Sequence, residues 1–174
     1  KQCFVARQVE PPESLYTALS RMHPMLRFLR LGDGSVARFN GMGATLLDQV
    51  STVQAYDDAG KTFPGVVASR SGYARLAAEG VVVIADVGGP PPLGMSERAH
   101  AGCGAFEMSV GHEALIVNCG APQDETGDWY VVSRSTAAHS TLTIEDLSSA
   151  RLIKAQNSAA GLAFLARRAT QCAA

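Results

Sequence analysis

Apolar positions recur along this chain with two periods, and the period of two dominates. At residues 13–22, Leu15, Ala18, Leu19 and Met22 fall at spacings of three and four. That pattern predicts a short helix, opened by Pro11-Pro12 and ended by Pro24. Beyond it the runs shorten and pair around turns. Residues 26–31 and 36–39 flank Gly32-Asp33-Gly34, 73–76 and 81–86 flank Glu79-Gly80, and 105–110 and 114–118 flank Gly111-His112. Each pair predicts a β-hairpin. Val81-Val82-Val83-Ile84 is apolar on both faces, as in a central strand covered on both sides. Residues 129–132 and 140–144 read as further strands. Residues 45–55 are ambiguous: Leu46, Leu47, Val50 and Val53 fit a helix face, which the β-branched content weakens. Residues 158–169 read as a helix, with Arg167 and Arg168 where the helix dipole favours cations.

Short hairpins without regular alternation with helices predict a mainly β fold, an antiparallel β-sandwich with short terminal helices. The expected organisation is a helical lead-in at 1–24, the sandwich at 25–149 and a helical tail at 150–174. Residues 88–94 hold three consecutive prolines and three glycines, so they form a stiff loop rather than sheet interior. That loop delivers the chain to Arg98 and His100.

Composition narrows the function classes. The 174 residues carry a net charge of −1, with no basic patch to suit nucleic acid. No apolar run approaches the ~20 residues that span a bilayer. The first residue is Lys1 rather than Met, as in a processed product or a fragment. Cys3, Cys103, Cys119 and Cys172 form no CxxC pair and are expected to be free, mostly buried thiols.

Among the four histidines, His23 before Pro24 and His112 in a turn read as structural or solvated. His100 and His139 both stand at strand entrances, which a sandwich can bring to one end. Two imidazoles with one oxygen ligand would make a zinc site with an open position. The spacing contains no HxH or HxxxH, and two separate, locally hydrogen-bonded histidines fit it as well. No phosphate loop exists, because neither Gly41-Met42-Gly43 nor Gly88-Gly89 leads into GxGxxG or GK(S/T). Ser109-Val110-Gly111 is not a nucleophile elbow. Asp57-Asp58, Asp124-Glu125 and Glu145-Asp146 read as exposed or turn carboxylates.

Three ordered motifs carry a family resemblance. His100-Ala101-Gly102-Cys103-Gly104-Ala105-Phe106-Glu107-Met108 resembles the HxHADxxSFEL signature of heparinase II/III-like polysaccharide lyases. Leu115-Ile116-Val117-Asn118-Cys119-Gly120 is similar to their LLVDPG strand and turn. Thr136-Ala137-Ala138-His139-Ser140-Thr141-Leu142-Thr143 is similar to their xxAHNTVTV strand. The likeness covers roughly residues 14–149.

The resemblance implies a large, periplasmic enzyme whose N-terminal helical toroid packs against a C-terminal sandwich. Its reaction is β-elimination at a uronic acid in an acidic polysaccharide. Carried onto this chain, it makes His100 the catalytic candidate and His100, Asn118 and His139 the ligands of a structural zinc. Arg98 stands where the family has the first histidine; it cannot act as a base but can pair with a substrate carboxylate. Gly102 stands where the family has an acid. The toroid is absent from these residues, so the resemblance implies an incomplete lyase with a missing N-terminal helical partner. The alternative reading is a non-catalytic carbohydrate-binding or scaffold module.

Overall fold

The computed structural model describes residues 1–57, 65–124, 127–154 and 163–167. Its elements are α1 (Gln2–Ala6), α2 (Glu13–Phe28), α3 (Leu47–Ala55), β1 (Val67–Ala68), β2 (Tyr73–Ala78), β3 (Val81–Asp86), β4 (Phe106–Val110), β5 (Glu113–Ile116), α4 (Asp128–Ser133), β6 (Ala150–Lys154) and β7 (Ala163–Arg167), with single 3₁₀ turns at Leu93–Met95 and Thr136–Ala138.

The architecture is antiparallel β, as the hairpin pattern predicts. Strands β1 to β5 form one sheet in sequence order, and β6 and β7 form a separate ribbon. The β2–β3 turn takes positive φ at both central residues, 51° at Glu79 and 82° at Gly80. Such a turn matches the right-handed twist of the strands it joins and sets Ala78 opposite Val81. The β4–β5 turn at Gly111-His112 pairs Val110 with Glu113, with a bulge between Met108 and Ser109. Strand β3 is central, bonded to β2 on one side and β4 on the other. Its Ile84 is fully buried, whereas Val81, Val82 and Val83 are half-buried. One face of the sheet is therefore the better covered. There Leu31, Ala37 and Phe39 pack on Ile84 and Ala105, with Leu29, Tyr73 and Val82 alongside.

Several expectations are corrected. Helix α2 does not stop at Pro24 but runs through it to Phe28. Phe28 is fully buried at the helix end, and that burial offsets the hydrogen bond Pro24 cannot donate. The first expected hairpin consequently loses its first strand. Only the Arg30–Val36 bridge forms, around a turn in which Asp33 accepts from the Ser35 N–H and hydroxyl. The ambiguous segment at 45–55 is helical as α3.

Residues 129–132 are helix α4, not strand, with Asp128 in the first turn where the dipole favours an acid. Residues 140–144 form no strand; Leu142 and Ile144 are exposed, and Ser140 accepts one sheet bond from the Phe106 N–H. The terminal helix expected at 158–169 is contradicted by β7, whose register sets Leu165 opposite Leu152 and Phe164 opposite Ile153 of β6. Pairing with a partner strand overrode local propensity. The rest of that tail lies outside the described residues. Cys3, Cys103 and Cys119 are free, as expected, but exposed rather than buried, and Cys172 lies outside the described residues.

Candidate functional site

His100 and His139 meet. Both lie on irregular chain: His100 after the proline loop, His139 just after the 3₁₀ turn Thr136–Ala138. Their rings cross at 88° with His100 Nδ1 3.2 Å from His139 Nε2. The proton positions follow from what the neighbours can do. His139 Nδ1 lies 2.7 Å from the Ser135 carbonyl oxygen, which can only accept, so that nitrogen carries the hydrogen. The other nitrogen of the neutral ring is then an acceptor, and His100 Nδ1 donates to it. His100 Nε2 is buried and has no partner within hydrogen-bond geometry among the described residues.

Burial, helped by the neighbouring His139 and Arg134, pushes the His100 pKa down to about 4. Burial also lowers that of His139. Both rings are neutral near pH 7.

Gly102 makes this approach possible. A Cβ at that position would lie 3.0 Å from His139 Cδ2 and 3.4 Å from Nε2. Any larger side chain would press on the second imidazole.

Buried polar side chains fix the loop. Arg134 is 1% exposed; its Nε donates to the Ala99 carbonyl and its Nη2 to that of Ser96. Thr136 donates its hydroxyl hydrogen to the Ala101 carbonyl, and the Ala101 N–H donates to the Arg134 carbonyl. The residues flanking His100 are thus tied to the 134–136 segment that leads into His139. Glu107 on β4, also 1% exposed, plays the same part across the sheet: its Oε1 accepts from the backbone N–H groups of Arg38 and Asn118 and from Asn118 Nδ2. The signal in the sequence was an acid inside an apolar strand run, Phe106-Glu107-Met108.

Asn118 is buried, but its amide is engaged elsewhere than on the two imidazoles. Nδ2 donates to Glu107 and Oδ1 accepts from the Ser140 N–H, while the Ser140 hydroxyl donates its one hydrogen to the Phe106 carbonyl. This bears on zinc. Two ring nitrogens 3.2 Å apart suit two corners of a tetrahedral ion with bonds of about 2.0–2.1 Å. Among the described residues no group of three or more His, Cys, Asp or Glu is placed to hold a metal. The donor set fits half of a zinc site.

Arg98 is exposed at the mouth of a cleft of about 590 Å³. Asn40, Arg70, Tyr73, Asp86 and the prolines 90–92 line the same cleft. A recess of about 70 Å³ shares Asn40, Asp86 and Pro90-Pro91 with it and reaches His100 and Cys103. Asn40 organises the wall. Its Nδ2 donates to the Tyr73 hydroxyl oxygen at 2.8 Å and to Asp86 at 3.2 Å, and its Oδ1 accepts from the His100 N–H at 3.1 Å. Its φ of 50° is left-handed, a conformation asparagine tolerates better than most residues. Burial raises the pKa of Asp86 and of Tyr73. No motif announced Asn40, Tyr73 or Asp86, because they come from three separate segments.

The remaining histidines lie away from this pair. His23 bonds Asp57 at 2.6 Å beside Arg27, and His112 is exposed in its turn. No helix among the described residues is long and apolar enough to cross a membrane.

Comparison with known proteins gives a consistent picture. The sequence profile of the family "Heparinase II/III-like, C-terminal" matches residues 60–172. "FtsZ-localized protein C" of Caulobacter vibrioides is 36% identical over 141 residues, which is 80% of this chain and 24% of that protein. The fold is shared with heparan sulfate lyase HepC from Pedobacter heparinus, at a TM-score of 0.58 and 17% identity, over 84% of this chain and 27% of that one. It is also shared with the "Heparinase III-BT4657 gene product", at a TM-score of 0.61 and 14% identity, again over 84% and 27%. The chain spans about a quarter of the length of each of these proteins.

Proposed function

The chain belongs to the heparinase II/III-like family and carries its C-terminal domain, and from that premise we propose that it is the sandwich portion of a lyase that cleaves acidic, uronate-containing polysaccharide by β-elimination. The observation that carries the reading is exposed Arg98 on a cleft whose neighbouring recess is lined by the buried His100. In such an elimination a base removes the proton from the carbon beside the carboxylate. Those electrons form a carbon–carbon double bond, the glycosidic C–O bond breaks, and the departing oxygen is protonated. The proton is acidic enough to remove only if the carboxylate charge is neutralised as the enolate-like state forms. A guanidinium does that with two parallel N–H donors.

Arg98 is the group this domain offers for that purpose. His100 is better suited to positioning than to proton abstraction. It is 5% exposed, its Nδ1 is committed to His139, and its N–H holds Asn40 in the cleft wall. The proton-abstracting base then lies outside these residues, and the domain alone is catalytically incomplete.

The test is to incubate the chain with uronate polymers and follow the absorbance of the unsaturated product, then to repeat it with the longest polypeptide that carries the chain. The expected result is no turnover from the domain alone, and a loss of about 100-fold in kcat/KM for Arg98→Ala in the longer protein, the scale of removing one charged transition-state contact. Robust turnover by the domain alone would overturn its incompleteness.

A second reading, a non-catalytic carbohydrate-binding or scaffold module, is favoured by Arg98 and Gly102 at positions where the family has a histidine and an acid. The name of the Caulobacter relative also describes localisation with FtsZ rather than a lyase. Oligosaccharide binding by the longer protein with no unsaturated product under any condition would select this reading.

A further inference from the structure

We propose that the open face of the β1–β5 sheet is a dimer interface, on which a second copy of this chain packs face to face about a twofold axis. The proposal is independent of the lyase reading and of the cleft.

Strand register sorts the side chains of the sheet onto two faces. Directly opposed residues point the same way, and neighbours along a strand point oppositely. One face carries Ile84, Glu107 and Ser109, and the chain around Leu31, Ala37 and Phe39 covers it. Along β4 the sorting is strict: Glu107 and Ser109 are buried, Phe106 and Met108 are half-buried and Val110 is exposed. The other face stays open among the described residues. Its middle row is Leu76, Val83, Met108 and Ile116. Ala74, Ala85 and Phe106 form the row on one side, and Ala78, Val81, Val110 and Glu113 the row on the other. Leu76 is 61% exposed and Val110 40%, so nothing described here shields them.

Contiguous apolar surface on this scale marks an interaction surface. Its chemistry selects the partner. Apart from Glu113 at one corner, these rows hold no hydroxyl, amide or charged side chain. They offer nothing to complement sugar hydroxyls and no cation to meet a phosphate. An uncharged sheet face complements them, and each copy of the chain presents one. A twofold axis lying in the interface keeps both copies of Glu113 at the rim, so neither carboxylate is buried. Val83, in the middle row of the central strand, lies near that axis. Two twisted sheets packed in this way lie about 10 Å apart, with strands about 30° from alignment.

Area sets the expected strength. Four strands about 4.8 Å apart and six residues at about 3.4 Å rise project to roughly 400 Å². Side-chain relief raises this toward ~600 Å² of accessible surface per copy, at the lower edge of stable interfaces. The dimer is therefore reversible, with an expected Kd on the order of 10 μM.

Sedimentation velocity of the 174-residue chain from about 1 to about 200 μM brackets that Kd and tests the proposal. The weight-average mass is expected to rise from one chain toward two. Leu76→Lys sets an unpaired charge in the middle of the interface and is expected to weaken association at least about 30-fold. Val110→Lys, two strands away on the same face, is expected to do the same, so loss of folding in one variant leaves the other to decide. Met22→Lys, on α2 and 62% exposed, is expected to leave Kd within about twofold. The dimer is overturned by the mass of one chain at every concentration, or by association that Leu76→Lys and Val110→Lys leave intact. It is also overturned if, in the longest polypeptide that carries the chain, a monomer protects a Leu76→Cys thiol from maleimide. That result would give the face to another segment of the same polypeptide.

Discussion

Different forces hold the β2–β5 sheet and the irregular chain that carries His100 and His139. In the sheet, backbone ladders run in register and one apolar layer closes over Ile84. In the irregular segments, buried polar side chains hold backbone groups: Arg134 on Ser96 and Ala99, Thr136 on Ala101, Glu107 on Arg38 and Asn118. A ladder distributes stability over many equivalent bonds, and an apolar layer can partly collapse when trimmed. A buried guanidinium that satisfies several carbonyls has no substitute, and its removal strands every partner at once. The site is therefore built where single side chains matter most.

Measurements that would break or sharpen this contrast can be ordered by size. Arg134→Ala is expected to lose about 4 kcal/mol in urea unfolding and to scatter the His100 and His139 imidazole resonances, because the Ser96 and Ala99 carbonyls lose their donor. A loss under about 1 kcal/mol would show that the loop is held by something else.

Acid comes next. His100 titrates near pH 4 in the fold but near 6.5 in the unfolded chain, so the unfolded state takes up the proton first as pH falls. Its contribution is complete above about pH 6.5 and is lost as pH falls toward about 4, on the order of 3 kcal/mol. His139, lowered in the same direction, adds to this. The observable is the difference in unfolding free energy between the parent and His100→Gln at pH 7 and pH 4.5. A difference independent of pH would contradict the buried, neutral pair.

In the sheet, Ile84→Val is expected to cost only about 1 kcal/mol and to leave both imidazole resonances in place. The smallest effect concerns metal. With Asn118 engaged by Glu107 and Ser140, the purified chain is expected to hold zinc well below one equivalent. A full equivalent that disappears in His139→Ala would show that the pair recruits ligands from beyond the described residues.

Legibility in the sequence divides along the same line. The β2–β3 and β4–β5 hairpins, the central place of β3 and the break at the proline loop were readable, because turn chemistry and a period of two act over a few residues. The convergence of His100 and His139 was legible as a possibility. The motifs that resemble the lyase family also marked Arg98, Gly102 and Asn118 in order along the chain. What failed were segments whose conformation depends on distant partners. Residues 129–132 have strand-like composition and form a helix; part of 158–169 has helix-like composition and pairs with β6. Pro24 should have ended α2, but the buried place waiting for Phe28 carried the helix past it.

The proline-rich approach to Arg98 and His100, the turns and the lyase-like signature all follow from local chemistry, since backbone sterics and side-chain alternation need no partner from elsewhere. The charge states and the cleft do not. The low pKa of His100 comes from burial and from His139 and Arg134, which lie 39 and 34 positions away in the sequence. The Asn40, Tyr73 and Asp86 wall exists only once the β2–β3 register and the chain after the Gly32-Asp33-Gly34 turn bring three separate segments together. Desolvation and long-range hydrogen bonding depend on which surfaces meet, and that is settled by packing.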